Sequence, residues 1–463
     1  MLSNKFKFNY SFGALANGIK TDTFTFFLLF FYINIVGLEP LLAGLAISIA
    51  LCVDAVTDPL MGSVSDRTRS RFGRRHPYMF ISFIPMTLGY ILLFAPSKDF
   101  ELSQQMLFIW MTLFTILTRL GITLFDIPHR AFGAEITKDY QERTVLMSWR
   151  ELFYWVAMLG NAFIGYGIFF SSTAEYPKGQ LNPEAWFPFA LTGAFIMLLS
   201  VLYSTYSTRN LGNDLYQANK TITLKKILSQ IAIAIKNKSF IVFFFGNLFL
   251  SLAWGLSNTL TLFVNTYFWE LEATKIQFFL PIYLIGTIFA FFLTPRLVKI
   301  FDKRNLVLIT LVGVSVTTPA AFIMYNLGLT PPKGTYSLVF FISSFLIFLI
   351  TFAVIGNMTR DSMVADIADE VELQSGERQE GILYSAVSFM QKLNTAFGSL
   401  FAGLVLTLIG FDSTNHTYEQ AYSIAFIQGP VTAILLLIPF VFFYNYRLSR
   451  QRHNQIIQKI NSR

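Results

Sequence analysis

The sequence predicts an all-α, polytopic membrane protein of twelve transmembrane helices in two six-helix bundles. Three observations predict it. Apolar side chains make up 54% of the chain and charged ones only 13%, where a soluble domain carries about 25% charge. The apolar residues come in runs of about 20 to 28, each long enough to cross a hydrocarbon core of about 30 Å. Polar positions near the end of the fourth run also recur 235 residues later, near the end of the tenth: Asp126, Glu135, Glu142 and Arg143 against Asp361, Glu370, Glu377 and Arg378. Such parallel repeats are the mark of a carrier built from two halves around a central cavity.

Taken in order, a short basic stretch, Met1 to Asn9, runs straight into span 1 (10–37), which is too long for a cleavable signal. Span 1 carries Lys20 and Asp22. Span 2 (41–63) carries Asp54, Thr57 and Asp58, and span 3 (76–96) follows the arginine-rich loop. Span 4 (104–128) contains Arg119, Thr123, Asp126 and Pro128; span 5 (146–170) opens on Arg150 and Glu151; span 6 (186–207) closes the first bundle. The longest polar break follows. Spans 7 (239–268), 8 (274–299), 9 (304–327), 10 (335–361), 11 (379–410, with Lys392) and 12 (420–445) form the second bundle. The expected organisation is therefore 1–207, a linker at 208–238, 239–445 and a tail at 446–463. In the linker, Leu224, Ile227, Leu228, Ile231 and Ile235 recur at helical spacing beside lysines, as in an amphipathic helix on the membrane surface or a plain tether.

The net charge of +8 is a topology signal rather than a sign of nucleic acid. Of the lysines and arginines in the loops, the tails and the ends of the spans, 27 fall on the side of the termini and 4 on the other, which places both termini in the cytoplasm of a cell whose inner (plasma) membrane holds the protein. The single cysteine, Cys52, excludes an internal disulfide and a thiolate metal site. No phosphate loop, GxSxG turn or metalloprotease helix is present, so the reading is of a non-enzyme without cofactor.

Charges inside spans are the sharpest clue, because each costs about 2.5–3.5 kcal/mol at mid-helix on insertion scales. They need partners or a wet cavity. Asp54 and Asp58 are four residues apart and share a helix face, where they repel unless a cation or proton lies between them. Thr57 adds a hydroxyl, and Pro59 leaves the carbonyl of Ala55 without its helical donor. Thr123, Asp126 and Pro128 repeat the design on span 4. Such an oxygen cage suits a hard cation such as sodium, with Asp54 and Asp58 as its metal-binding carboxylates, or a proton if the carboxylates titrate.

The stretches DAVTDPLMGSVSDRTRSRFGRRHPY from Asp54, FDIPHRAFGAEITKDYQERT from Phe125 and MVADIADEVELQSGERQEGILYS from Met363, with Arg150 and Lys392, resemble the glycoside-pentoside-hexuronide:cation symporters, the melibiose-carrier branch of the major facilitator superfamily. The resemblance covers essentially the whole chain. It implies uptake of a sugar or glycoside, coupled to Na+ or H+, by alternating access in a monomer surrounded by lipid. It makes Asp54, Thr57, Asp58, Thr123 and Asp126 cation ligands, Arg150 and Asp126 sugar contacts, and Lys392 a neighbour of both sites. Departures are also visible: Gly18 stands where such carriers have a first-helix carboxylate, Arg130 where they have an aromatic, and Asn357 where they have a tenth-helix tryptophan. Melibiose is therefore not the expected cargo. Asp22 is a candidate replacement carboxylate. With Lys20, Arg130, Arg150 and Lys392 able to approach the cavity, the cargo is an anionic sugar such as a uronide, unless Arg130 only pairs locally.

In the loops, Asp66, Arg67, Arg71, Arg74 and Arg75 after span 2, and Asp366, Asp369 and Glu377 after span 10, are candidate partners in a cytoplasmic gate of breakable ion pairs, or else a solvated topology loop. His129 is a candidate for a proton path or a local hydrogen bond. A lipid or lysolipid carrier of the same fold is the alternative function, and it predicts few charges in the cavity.

Overall fold

The computed structural model describes residues 2–70, 72–96, 100–137, 139–211, 237–375, 383 and 396–461. Most of the expected linker, Arg71, Glu377, Arg378, Lys392 and most of span 11 lie outside the described residues. The described residues are helical, with no strand among them. Eleven helices are long and apolar enough to cross a membrane: α1 (Asn4–Val36), α2 (Pro40–Arg67), α3 (His76–Leu93), α4 (Gln104–Glu135), α5 (Gln141–Phe169), α6 (Pro183–Thr208), α7 (Lys238–Phe268), α8 (Ala273–Ile300), α9 (Lys303–Asn326), α10 (Tyr336–Gln374) and α12 (Tyr418–Tyr444). The described part of span 11 is the shorter apolar helix α11 (Ala396–Leu408). A last helix, α13 (Arg450–Asn461), follows.

Local chemistry sets the helix starts. Pro40 opens α2 at a position where the missing N–H costs nothing. Ser103, Asn182 and Asn237 accept from the first-turn amides of Met106, Glu184 and Phe240 at the starts of α4, α6 and α7. Thr417 and Gln420 form a reciprocal capping box on α12.

One end differs from the sequence reading. The acidic segment expected in a loop after span 10 continues α10, so Asp366, Asp369 and Glu370 stand on helix. Nothing between Gly356 and Ser375 breaks a helix, and 39 residues at about 1.5 Å each outrun a core of about 30 Å. The tail holds the amphipathic helix α13, which buries Ile456 in one cluster with Phe243, Val307, Ile367 and Phe443.

The chain divides into two compact units: residues Met1–Ala218, Glu272–Gln277 and Ser399–His416, and residues Asn219–Leu271, Phe278–Gly398 and Thr417–Arg463. In the first, small residues bring helices together. A Cβ on Gly121 would lie 2.4 Å from the backbone nitrogen of Met86, and one on Gly18 would lie 2.3 Å from the carbonyl oxygen of Tyr154. Close backbone approach of this kind replaces the hydrophobic driving force that lipid does not supply. The second unit packs Phe243, Val307, Met363, Val371 and Phe443 into its core.

Candidate functional site

The first unit brings α2 and α4 side by side, and their polar faces meet. Asp54 is buried, and its Oδ2 accepts from Arg119 Nε at 2.7 Å and from a second guanidinium nitrogen. Arg119 also lies over the Phe24 ring of α1, 5.7 Å from its centroid. One turn on, Asp58 accepts from the Thr123 hydroxyl at 2.7 Å. Asp54 Oδ1 and Thr57 Oγ1 are buried and have no hydrogen-bond partner among the described residues. The α2 face therefore holds a filled half, engaged with Arg119 and Thr123, and two open oxygens.

The sequence reading set Asp54 against Asp58 as mutually repelling carboxylates. The structure supplies a fixed cation, Arg119, for the first of them, and the Thr123 hydroxyl as a donor to the second. Among the described residues no three His, Cys, Asp or Glu side chains cluster as a metal site.

Asp126 stands apart from this group. It accepts from Arg130 Nε at 2.7 Å and from Arg150, which also contacts Glu151 at 3.2 Å. Arg150 is 2% exposed and its Nε has no partner among the described residues. Arg130 is half exposed and pairs with Asp126 one turn back along its own helix, the local pairing that the sequence left open. Thr123 reaches the α2 group; Asp126 belongs to an arginine cluster.

Asp22 is 2% exposed and therefore lines no open surface; it accepts from Asn161 of α5 at 2.7 Å. Asn161 also reaches Thr23, whose hydroxyl shares a 2.7 Å hydrogen bond with Tyr90 of α3. Lys20 lies half-buried on the same helix. Asn161 and Tyr90 were not singled out in the sequence, although a polar Asn inside span 5 was the available signal. Gly18 faces the α5 backbone with no room for a carboxylate, and Asn357 accepts from Arg360. His129 is fully buried, stacked on Tyr10 with centroids 4.1 Å apart and hydrogen-bonded to its carbonyl at 3.0 Å.

Among the described gate candidates, Asp66, Arg74, Arg75, Asp366 and Asp369 have partners within their own units. In the first, Arg75 contacts Asp66 at 2.9 Å, and Arg74 and Arg75 converge on Glu135, Arg74 at 2.6 Å; Arg67 closes α2. In the second, Lys303 meets Asp366 at 2.7 Å and His453 meets Asp369 at 2.9 Å. Arg452 meets Glu370 at 3.1 Å. Arg452 and His453 come from α13, and the sequence reading did not connect them with the acidic positions of α10.

The profile of the MFS/sugar transport protein family matches residues 9–450. Similar curated proteins include the putative glycoside/cation symporter YagG of Escherichia coli, 25% identical over 99% of this chain and 95% of the relative. The isoprimeverose transporter of Lactiplantibacillus pentosus is 25% identical over 90% and 82%. Among solved structures, the inward-open xylose transporter XylE from E. coli aligns with a TM-score of 0.64 at 14% identity, over 96% of each chain, which is a likeness of fold.

Proposed function

This chain belongs to the MFS/sugar transport protein family, and we propose that it carries a sugar or glycoside across the inner (plasma) membrane, driven by entry of sodium or protons through alternating access. Its family is that of the MFS/sugar transport proteins, and its relatives include a putative glycoside/cation symporter and an isoprimeverose transporter. The observation that carries the coupling is the pair of open, buried oxygens, Asp54 Oδ1 and Thr57 Oγ1, beside Asp58. Buried oxygens without donors are costly, and a bound cation or proton relieves that cost. Because neutralisation removes a buried charge, it shifts the equilibrium between conformations that differ in how they solvate this face. Coupling is then the difference in cation affinity between those conformations, and it must act equally on cargo affinity.

The protein works as a monomer with both termini cytoplasmic and with lipid as its surroundings. The Asp126, Arg130 and Arg150 cluster is the candidate for contacts with cargo hydroxyls. A lipid carrier of the same fold predicts few interior charges, whereas the first unit holds two charge clusters, so polar cargo is favoured. The test is counterflow of a panel of labelled sugars, uronides and lysolipid in vesicles, with and without sodium at fixed pH and with and without a pH gradient. Cation-dependent exchange of a sugar is expected. Lysolipid exchange, or sugar exchange indifferent to both ions, overturns the proposal.

A further inference from the structure

The second unit contains a cavity of about 130 Å³. Part of its wall is Trp269, just past α7, and Phe322 of α9. Behind these two, at the end of the unit opposite α13, stand Phe268, the last residue of α7, Tyr325 near the end of α9, and Tyr418, the first residue of α12. Phe268 packs on Phe322 with ring centroids 5.6 Å apart, and Trp269 meets Tyr325 edge-on at 5.9 Å. The Tyr325 and Tyr418 hydroxyls share a hydrogen bond of 3.1 Å. One ammonium serves all three rings. Lys333 Nζ lies 4.4 Å from the centroid of Phe268, 4.9 Å from that of Tyr325 and 5.2 Å from that of Tyr418, each inside the reach of a cation–π contact, about 6 Å.

The rings, more than a carboxylate, hold this lysine. Glu270 is 3.8 Å from the ammonium and half exposed, the kind of pair that contributes little. The Lys333 side chain itself is only 18% exposed, and cation–π attraction grows as water is excluded. Lys333 belongs to the loop between α9 and α10, and its neighbour seats that loop on the end of α7. Gly334 donates its N–H to the Trp269 carbonyl at 3.0 Å, with φ at +71°. Facing it, Glu270 has φ at +57°, a left-handed conformation that a residue with a side chain adopts only at a cost. A Cβ on Gly334 would lie 3.2 Å from the Glu270 carbonyl oxygen, so glycine permits the approach. Strained backbone persists where surrounding contacts over-determine it, and such positions cluster at switch regions. Here those contacts are the Lys333 cage and the Gly334 hydrogen bond.

We propose that Lys333 is a gate of this cavity. With the ammonium in its cage, the ends of α7, α9 and α12 are held on one common partner, and the cavity is shut at this end. When the ammonium leaves, the three rings lose that partner, Glu270 is free to relax, and the same helix ends can separate. Several weak contacts to one mobile side chain suit a closure that opens and shuts repeatedly, because no single one of them has to be replaced at great cost. As a step in transport the gate rests on the reading of the chain as a transporter; the closure of the cavity does not.

The test uses the full chain in nanodiscs, open to solvent on both faces, in a Cys52→Ser background with Ala321→Cys, a position that lines the cavity, as the reporter. The probe is 2-sulfonatoethyl methanethiosulfonate, an anion that the rings do not attract. Adding Lys333→Gly should make the reporter react about tenfold faster, the gain from shifting an opening equilibrium by about 1.4 kcal/mol. Methylammonium chloride should return that variant towards the slow rate, because a small organic ammonium replaces the missing side-chain head, and sodium chloride at the same concentration should not. A loop that had merely lost its packing would not respond in this way. An unchanged rate in Lys333→Gly, or no slowing by methylammonium beyond that of sodium chloride, overturns the proposal. If Lys333→Gly fails to fold, Tyr418→Ala, which removes one ring from an exposed position, is read in its place; it should also speed the reaction, and an unchanged rate there overturns the gate. Cation-driven sugar uptake by the protein with Lys333 intact separates the two readings. Uptake without any effect of Lys333 on labelling sinks the gate alone, and the expected labelling without uptake sinks the symport reading alone.

Discussion

The Asp54–Arg119 pair allows coupling to be separated from folding. Both side chains are buried in the first unit, joined at 2.7 Å through Arg119 Nε and by a second contact. Asp54→Asn leaves Arg119 as an uncompensated charge among Phe24 and the α2–α4 contact. Removing one partner of a buried pair costs about 3–5 kcal/mol, whereas removing both is often near neutral. Asp54→Asn and Arg119→Gln should therefore each lower the denaturation midpoint of the purified protein strongly, and the double variant should regain most of it. A coupling energy of about 2 kcal/mol or more from the double-mutant cycle is expected for groups in direct contact. Transport should behave differently. Asp54 Oδ1, free of Arg119, is the atom assigned to the cation, so the double variant should fold and exchange sugar without accumulating it against a gradient. Accumulation by the double variant at the wild-type level would show that Asp54 serves only to neutralise Arg119 and would refute its place in the coupling site.

Four further outcomes follow from the same geometry. Asp58→Asn removes a carboxylate from the α2 face beside the open oxygens and should abolish concentrative uptake while leaving sugar exchange measurable; a gradient maintained by Asp58→Asn would refute the assignment. Gly18→Asp should fail to restore a first-helix carboxylate, because the Cβ would lie 2.3 Å from the Tyr154 carbonyl oxygen; a loss of stability of about 1–3 kcal/mol or more is expected, and sugar affinity raised without that loss would contradict it. Arg150→Ala, which strips a buried partner from Asp126, should cost several times more stability than Arg130→Ala at a half-exposed pair worth about 0–1 kcal/mol; equal thermal shifts would contradict the difference in burial, and a larger rise in KM for a uronide than for its neutral analogue in Arg130→Lys would restore the anionic cargo. A reporter enzyme active only outside the cytoplasm, fused after Asn461, should stay silent, and activity there would overturn the assigned topology.

The sequence alone determined the membrane class, the order of the spans and the candidate face on α2. These rest on local quantities: run length, charge asymmetry, and the 3.6-residue period that places Asp54 beside Asp58. It also located the departures at Gly18 and Arg130, because a motif is read position by position. Tertiary structure decided what each charge meets. Arg119 and Asp54 are 65 residues apart, and nothing local tells which rotation of α4 faces α2; the close approach of the helices fixes that. The same holds for Asn161 on Asp22, 139 residues away, and for Arg452 and His453, which reach Glu370 and Asp369 only because α13 buries Ile456 against the core of its unit. The cavity of the second unit was invisible for a related reason. Its wall is drawn from α7, α8, α9, α10 and α12, and only packing closes these helices around one space. Helical periodicity tells which residues share a face, but which faces meet is set by side-chain volume, small-residue contacts and backbone irregularities summed over the whole bundle.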